Sequence, residues 1–324
     1  MTHRPSIPVW AALLGSGFAG ALVALQSRIN GGLSQELNDG YLTAAVSFAS
    51  GLVILFIAVL LSRRARNGLG LVWAEVRSGH LPWWALTGGA CGAFFVLGQG
   101  LVATVVGLAL FTVGIVAGQV FGGLVLDRLG LGPGGRVDPT PQRVVGTVLA
   151  VAAVLLSVLA DLGGSGSLTA GLWLIVVPLI AGLLVSWQSA MNGLVRAAAH
   201  SAVTSTVINF LVGMVLLLVV TAISLAINGW PEAWPTNPLL YVGGAVGTVF
   251  IAIAAALVRT AGVLLLSMSN VAGQLVAAVA FEAWLPLAGG VAGWMLAGAA
   301  VSLLAVVVAA IPGKRLGGRA ASVR

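Results

Sequence analysis

Residues 19–31 read AGALVALQSRING and residues 181–193 read AGLLVSWQSAMNG, an ungapped match at a shift of 162 with eight of thirteen residues identical. The shared residues include Gln26/Gln188, Ser27/Ser189, Asn30/Asn192 and Gly31/Gly193, and the register runs on through Phe48/Phe210 and Gly51/Gly213. A second match, at a shift of 155, pairs Gly88-Gly89-Ala90 with Gly243-Gly244-Ala245 and Val116-Ala117-Gly118-Gln119 with Val271-Ala272-Gly273-Gln274. A chain written twice must fold as two like units, a tighter constraint than any composition supplies. The first copy holds seven more residues than the second (162 − 155 = 7), and they fall in the Arg-rich segment between Ser62 and Leu81. A loop is expected there.

With 59% apolar residues, 7% charged residues and a mean hydropathy of +1.10, the chain is no ordinary soluble domain, where about a quarter of residues are charged. Apolar runs of about 20 residues succeed one another, the length that crosses ~30 Å of hydrocarbon as a helix. Ten such runs are read: 9–32, 42–61, 81–103, 108–126 and 143–160, then 172–194, 202–226, 239–258, 261–285 and 287–311. Gly107 and Gly262 mark tight turns within them, and Pro286 stands at the expected start of the last helix. The first run has basic residues before it, as a signal peptide would, but its counterpart lies mid-chain. It is expected to be a retained helix.

The net charge of +7 comes from basic residues scattered singly between apolar runs, which points to membrane orientation rather than nucleic acid. Cys91 is alone in an apolar run, and His3, His80 and His200 lack the spacing of a metal site or a triad. No cofactor, metal or enzymatic activity is therefore expected. With ten spans, one face receives fourteen of the fifteen basic residues and the other only Arg28. Both termini are then cytoplasmic.

Five spans is an odd number, so the second copy must enter the bilayer from the opposite side. The expected fold is an all-α polytopic membrane protein, with ten transmembrane helices as two inverted five-helix repeats. Residues 1–161 form the first repeat, 162–169 a linker, 170–312 the second repeat and 313–324 a basic cytoplasmic tail. Inverted repeats characterise secondary transporters, whose substrates bind near the midplane between the repeats.

Polar residues inside the spans are the candidate site. Gln119 and Gln274 lie near the middle of their helices, with Thr112 on one face of the first and Ser267 and Asn270 on one face of the second. Gln26 and Asn30 share a helical face, and Gln188 and Asn192 repeat the pair. These seven amides are expected to line a cavity and bind a polar substrate, although such residues also serve as hydrogen bonds between helices. Asp127 and Glu282 are read as helix-end charges and, with Arg28, as possible coupling or gate residues. Arg28 is paired in expectation with an anionic substrate or with a carboxylate such as Glu36, and Trp187 is weighed as a cavity floor against plain packing.

The motif Gln26-Ser27-x-x-Asn30-Gly31, the element Ser47-Phe48-x-x-Gly51, and Gly118-Gln119 followed by Asp127-Arg128-Leu129-Gly130 resemble the YdcZ-like family of the drug/metabolite transporter superfamily. The resemblance is looser in the second copy, where Glu282 takes the Asp127 position and no Arg-Leu-Gly follows. It implies a bacterial inner-membrane transporter and names no substrate. Family members occur as five-span half-proteins and as ten-span fusions, so a monomer would suffice here. The function expected is transport, and more specifically export, of a small polar or amphiphilic metabolite or drug. A non-transporting membrane protein, such as a lipid scramblase or assembly partner, is the alternative; an intramembrane enzyme fits less well.

Overall fold

The computed structural model describes residues 8–132, 135–136, 138–162, 168–261, 263–287 and 293–311, and their regular structure is helical throughout. The first copy forms α1 (Val9–Leu37), α2 (Gly40–Leu61), α3 (Arg63–Arg77), α4 (Gly88–Leu101), the single turn α5 (Ala103–Val106), α6 (Leu108–Leu129) and α7 (Pro141–Leu162). The second forms α8 (Leu168–Ala199), α9 (Ala202–Asn228), α10 (Gly243–Ala261), α11 (Val263–Trp284) and α12 (Gly293–Ala310). Short 3₁₀ turns, Trp83–Thr87 and Pro238–Tyr241, lead into α4 and α10. Among the described residues, six segments are long and apolar enough to cross a membrane: Trp10–Leu37, Gly40–Leu61, Trp83–Val106, Leu108–Leu129, Val176–Ala199 and Ala202–Asn228. Helices also occupy the other four stretches read from the sequence, as α7, α10, α11 and α12.

Turn chemistry sets the joints. Asn38 and His200, counterparts at the shift of 162, are the two non-glycine residues with positive φ among those described (50° and 51°). Each is followed by a helix N-cap at counterpart positions: Asp39 accepts from the amides of Tyr41 and Leu42, and Ser201 from that of Thr204. The two turns share a geometry although their residues differ. Gly107, with φ of 81°, starts α6 as expected of a tight turn. Gly262 and the basic tail 313–324 lie outside the described residues.

Two expectations are corrected. The Arg-rich segment is not a loop but the helix α3, capped by Ser62, whose hydroxyl accepts from the Ala65 amide. Its stripe of Ala65, Gly68 and Val72, spaced three and four apart, is buried against the α8–α9 turn. There Thr204 Oγ1 donates to Ala65 O and Arg64 Nε to His200 O. Pro286 does not begin a helix directly either: Leu285, Pro286 and Leu287 form a bend. The carbonyls of Leu285 and Leu287 accept from Arg28 and Gln35 of α1, which hold the chain in that bend.

The two copies interdigitate. α1 packs chiefly on α11 and α10 of the other copy, and α8 packs chiefly on α6 and α4, the counterparts of those helices. At the α1–α11 crossing a Cβ on Gly20 would collide with the Asn270 carbonyl, and one on Gly273 with the Gly17 carbonyl. At the α8–α6 crossing the mirror positions do the same: Gly182 meets the Ile115 carbonyl and Gly118 the Leu179 carbonyl. These glycines let the backbones approach to Cα–H···O distance, the close packing typical of helices in lipid. Phe48 and Phe210, also counterparts, pack on one another with ring centroids 4.8 Å apart and planes tilted by 36°.

Direction follows from contacts along the helices. From Ser269–Leu13 to Leu285–Arg28 and Leu287–Gln35, residue numbers rise together, so α1 and α11 run parallel. Between α2 and α9 they run oppositely, from Asp39–Ser224 and Tyr41–Thr221 through Phe48–Phe210 to Ala65–Thr204 just beyond. α2 and α9 are the same segment of the two copies, laid side by side and antiparallel. Their outer faces carry exposed Phe56, Leu61, Val215 and Ile227, apolar surface that suits contact with lipid.

Candidate functional site

On the first-copy side, α1 buries Gln26, Ser27 and Asn30 against α4, α2 and α10. The hydrogen bonds there have a fixed polarity. Ser27 Oγ donates to Val23 O of its own helix (3.0 Å), so it must accept from Gln99 Nε2 (2.8 Å). Gln99 Oε1 is then turned to accept from Asn30 Nδ2 at 2.6 Å. The relay leaves Asn30 Oδ1 facing Gly243 of α10 as a buried acceptor without a protein hydrogen bond, and Ser47 Oγ beside the same glycine is in the same condition. Gln26 lies one turn away, its amide nitrogen against Gly247.

The second-copy side repeats the placement with different partners. Gln188 lies against Gly92 and Asn192 against Gly88, the counterparts of Gly247 and Gly243. Gln188 Nε2 donates to Asn209 Oδ1 at 3.1 Å. Asn209 stands where the first copy has Ser47, whereas the position equivalent to Gln99 is Ala254. Each side therefore has one additional amide, supplied by a different helix. Gln188 and Asn192 are half-buried where Gln26 and Asn30 are buried.

The amides of α6 and α11 sit at the glycine crossings. Gln274 is 1% exposed, its Oε1 has no protein hydrogen bond, and its backbone nitrogen lies beside Gly20. Asn270 Nδ2 donates to Ser16 O at 3.4 Å. Gln119 is half-buried, its nitrogen beside Gly182 and its carbonyl accepting from Ser186 Oγ at 2.8 Å. Thr112 is buried, and the side chain of Ser267 lies outside the described residues.

The charged candidates separate into two groups. Glu282, fully buried, accepts from the Leu108 amide at 2.6 Å and rests against Gly107, so its carboxylate caps the positive end of α6. Its charge also acts on Arg28, whose Nε donates to Leu285 O at 2.5 Å. Arg28 is thus anchored beside the last turn of α11, which carries Glu282, while Glu36 is exposed. α1, α6 and α11 are joined at this one point. Asp127 is at the other end of α6, some twenty residues or about 30 Å along the helix, and pairs with Arg143 of α7 at 2.9 Å. Arg128 and Arg136 pair with Asp138 nearby. Trp187 Nε1 donates to Thr87 Oγ1 and its ring packs on Trp84, so it closes the α8 contact with the turn before α4.

Repetition in the sequence points to Gln26, Asn30, Gln188 and Asn192 but passes over Gln99 and Asn209, which occur once each. Their signal was a lone amide deep in an apolar run, where an unpartnered polar group is costly. Among the described residues no group of three or more His, Cys, Asp or Glu side chains could hold a metal.

The family model described as "Putative inner membrane exporter, YdcZ" matches residues 11–156 and again 173–308. The chain belongs to the YdcZ family of the drug/metabolite transporters. The model matches once over each copy, so the duplication read from the residues is a duplication of the YdcZ unit. No curated protein matches the chain. The YdcZ assignment makes it a membrane protein of a transporter family, with the buried amides at the contacts between its two units.

Proposed function

We propose that the protein is a secondary transporter of the bacterial inner membrane, exporting a small polar or amphiphilic molecule by alternating access between its halves. In this reading ten helices cross the bilayer, five per half, with the halves inverted and both termini cytoplasmic. The observation that carries it is the antiparallel pairing of α2 with its own counterpart α9, together with matching glycine crossings at α1–α11 and α8–α6. Two halves so related can exchange conformations, and that exchange opens first one face and then the other. Gln26, Asn30, Gln188, Asn192, Gln119, Asn270 and Gln274 lie where the halves meet and would be uncovered in turn. The polarity of the Ser27–Gln99–Asn30 relay supports a substrate that donates a hydrogen bond to Asn30 Oδ1 when α10 moves off it. Arg28 with Glu282 serves as the gate at one end, and Asp127 with Arg143 closes the other.

The test is cysteine accessibility in a Cys91→Ala background. Cysteines at Gln119 and Gln274 are expected to react with a membrane-impermeant maleimide, each at a rate that changes when a transported compound is added. Compounds are chosen by thermal-shift screening of the purified protein and confirmed by flux in liposomes. Protection of both cysteines in well-expressed protein would discard the cavity between the halves. Reporters at the two termini are expected to lie on the same, cytoplasmic side; opposite sides would break the five-plus-five arrangement.

A further inference from the structure

α3 places positive charge where apolar surface ends. It has four arginines, Arg63, Arg64, Arg66 and Arg77, against one Glu75, a net charge of 4 − 1 = +3. With Ala65, Gly68 and Val72 turned to the α8–α9 turn, the opposite side of the helix is open. At 100° per residue, Arg66, Trp73 and Arg77 fall within about 40° of one another on one flank of that open side. The Arg77 guanidinium lies over the Trp73 ring, 5.2 Å from its centroid, and Trp73 is 63% exposed.

The flank's position is fixed by α2. Arg66 Nη1 donates to the carbonyls of Val59 and Leu60 in the last turn of α2, the first of which also accepts from the Ser62 amide. Up to that turn α2 presents Phe56, Leu60 and Leu61, the last 82% exposed, as a lipid-facing surface. The arginine–tryptophan flank thus begins at the level where that surface stops. That is the depth of the phosphate groups in a bilayer, with tryptophan at the boundary below them. Two carbonyl contacts through one nitrogen leave Arg66 further N–H donors on a planar fork suited to phosphate oxygens. The matching connection in the second copy, residues 229–237, carries Trp230, Glu232 and Trp234 and no Lys or Arg. The cationic helix is specific to the first copy.

We propose that α3 is a binding site for anionic phospholipids, with Arg66 and Arg77, about 16 Å apart along the helix, on the phosphates of neighbouring headgroups and Trp73 against an upper acyl chain. By holding the α8–α9 turn through Gly68, Thr204 and the Arg64–His200 contact, the lipid-bound helix fastens the second half to one leaflet. The inference rests on the membrane-spanning reading and not on transport.

Native mass spectrometry of the purified full chain, with phosphatidylglycerol and phosphatidylcholine supplied in equal amounts, tests it. A basic residue near an anionic surface is worth about fivefold in affinity. Wild type is expected to retain phosphatidylglycerol in preference, and the ratio to fall about fivefold in Arg77→Gln and about 25-fold in Arg66→Gln/Arg77→Gln. Arg77→Gln alone leaves the α2 carbonyl contacts in place, so its result stands even if the double variant unfolds. Arg136→Gln, which removes an exposed arginine elsewhere, should leave the ratio unchanged. A ratio unmoved by Arg77→Gln, or lowered equally by Arg136→Gln, would overturn the site. Because no flux is measured, this result is independent of the accessibility test of transport.

Discussion

At the level of single residues, the first-copy amide relay illustrates how a buried polar group is held in one orientation. A hydroxyl committed to its own helix carbonyl dictates the direction of every bond after it. Replacing Gln99 with Leu removes the link and leaves Ser27 and Asn30 facing an apolar side chain. Hydrogen bonds between membrane helices average ~0.6 kcal/mol, but two orphaned groups within the packed interior raise the expected loss to about 1–2 kcal/mol. Thermal unfolding in neutral detergent should show it as a lowered midpoint; an unchanged midpoint would mean that the relay carries no stability. Glu282 is expected to be more sensitive, because Glu282→Gln weakens the cap on α6 and removes the charge that acts on Arg28. A loss of about 1–3 kcal/mol follows, and Arg28→Gln added to it should cost less than the two single changes summed. Strict additivity in that double-mutant cycle would separate the two residues. The sequence made the repeated amides visible but not these connections. Gln99 and Asn209 have no counterpart, and Glu282 read as a helix-end charge because nothing in a linear pattern reveals that Gly107 brings the start of α6 beneath it.

At the level of helices, glycine decides which faces can meet. Gly20, Gly118, Gly182 and Gly273 allow no Cβ against the facing carbonyl, whereas Gly70 and Gly123 have open space around theirs. Valine at Gly20 or at Gly182 is therefore expected to abolish folded protein, read as loss of the monodisperse peak in detergent. Alanine at Gly123 should leave that peak intact. Since Gly20 and Gly182 are counterparts, tolerance at one and failure at the other would contradict the equivalence of the two crossings. Helix existence was largely legible from apolar runs of the right length, and all ten stretches are occupied by helices. α3 was not, because its buried stripe is made of Ala65, Gly68 and Val72. Two of those three residues are too small to register as a hydrophobic face, and the Arg-rich composition pointed to a loop.

At the level of the whole molecule, duplication and the expected odd number of spans per copy pointed to opposed halves before any partner helix was known. What they could not supply was the choice of neighbours: α1 could have packed within its own half, and instead lies on α10 and α11. The physical reason is the pairing of small residues, since Gly17 and Gly20 fit the Asn270–Gly273 turn of α11 as Leu179 and Gly182 fit the Ile115–Gly118 turn of α6. Each half consequently completes the cover over its buried amides with helices of the other half, as Gly243 and Gly247 of α10 do over Asn30 and Gln26. Cutting the chain between Leu162 and Leu168 should therefore give two pieces that do not fold singly, each lost to degradation when expressed alone. Co-expressed, they should co-purify as a one-to-one complex with the melting behaviour of the intact chain lowered by several degrees. The lowering is expected because joining the pieces again costs translational freedom that the linker had removed. A first half that accumulates alone as a folded, monodisperse species would show that its core is its own, and the exchange of helices between halves would then be packing without consequence for folding.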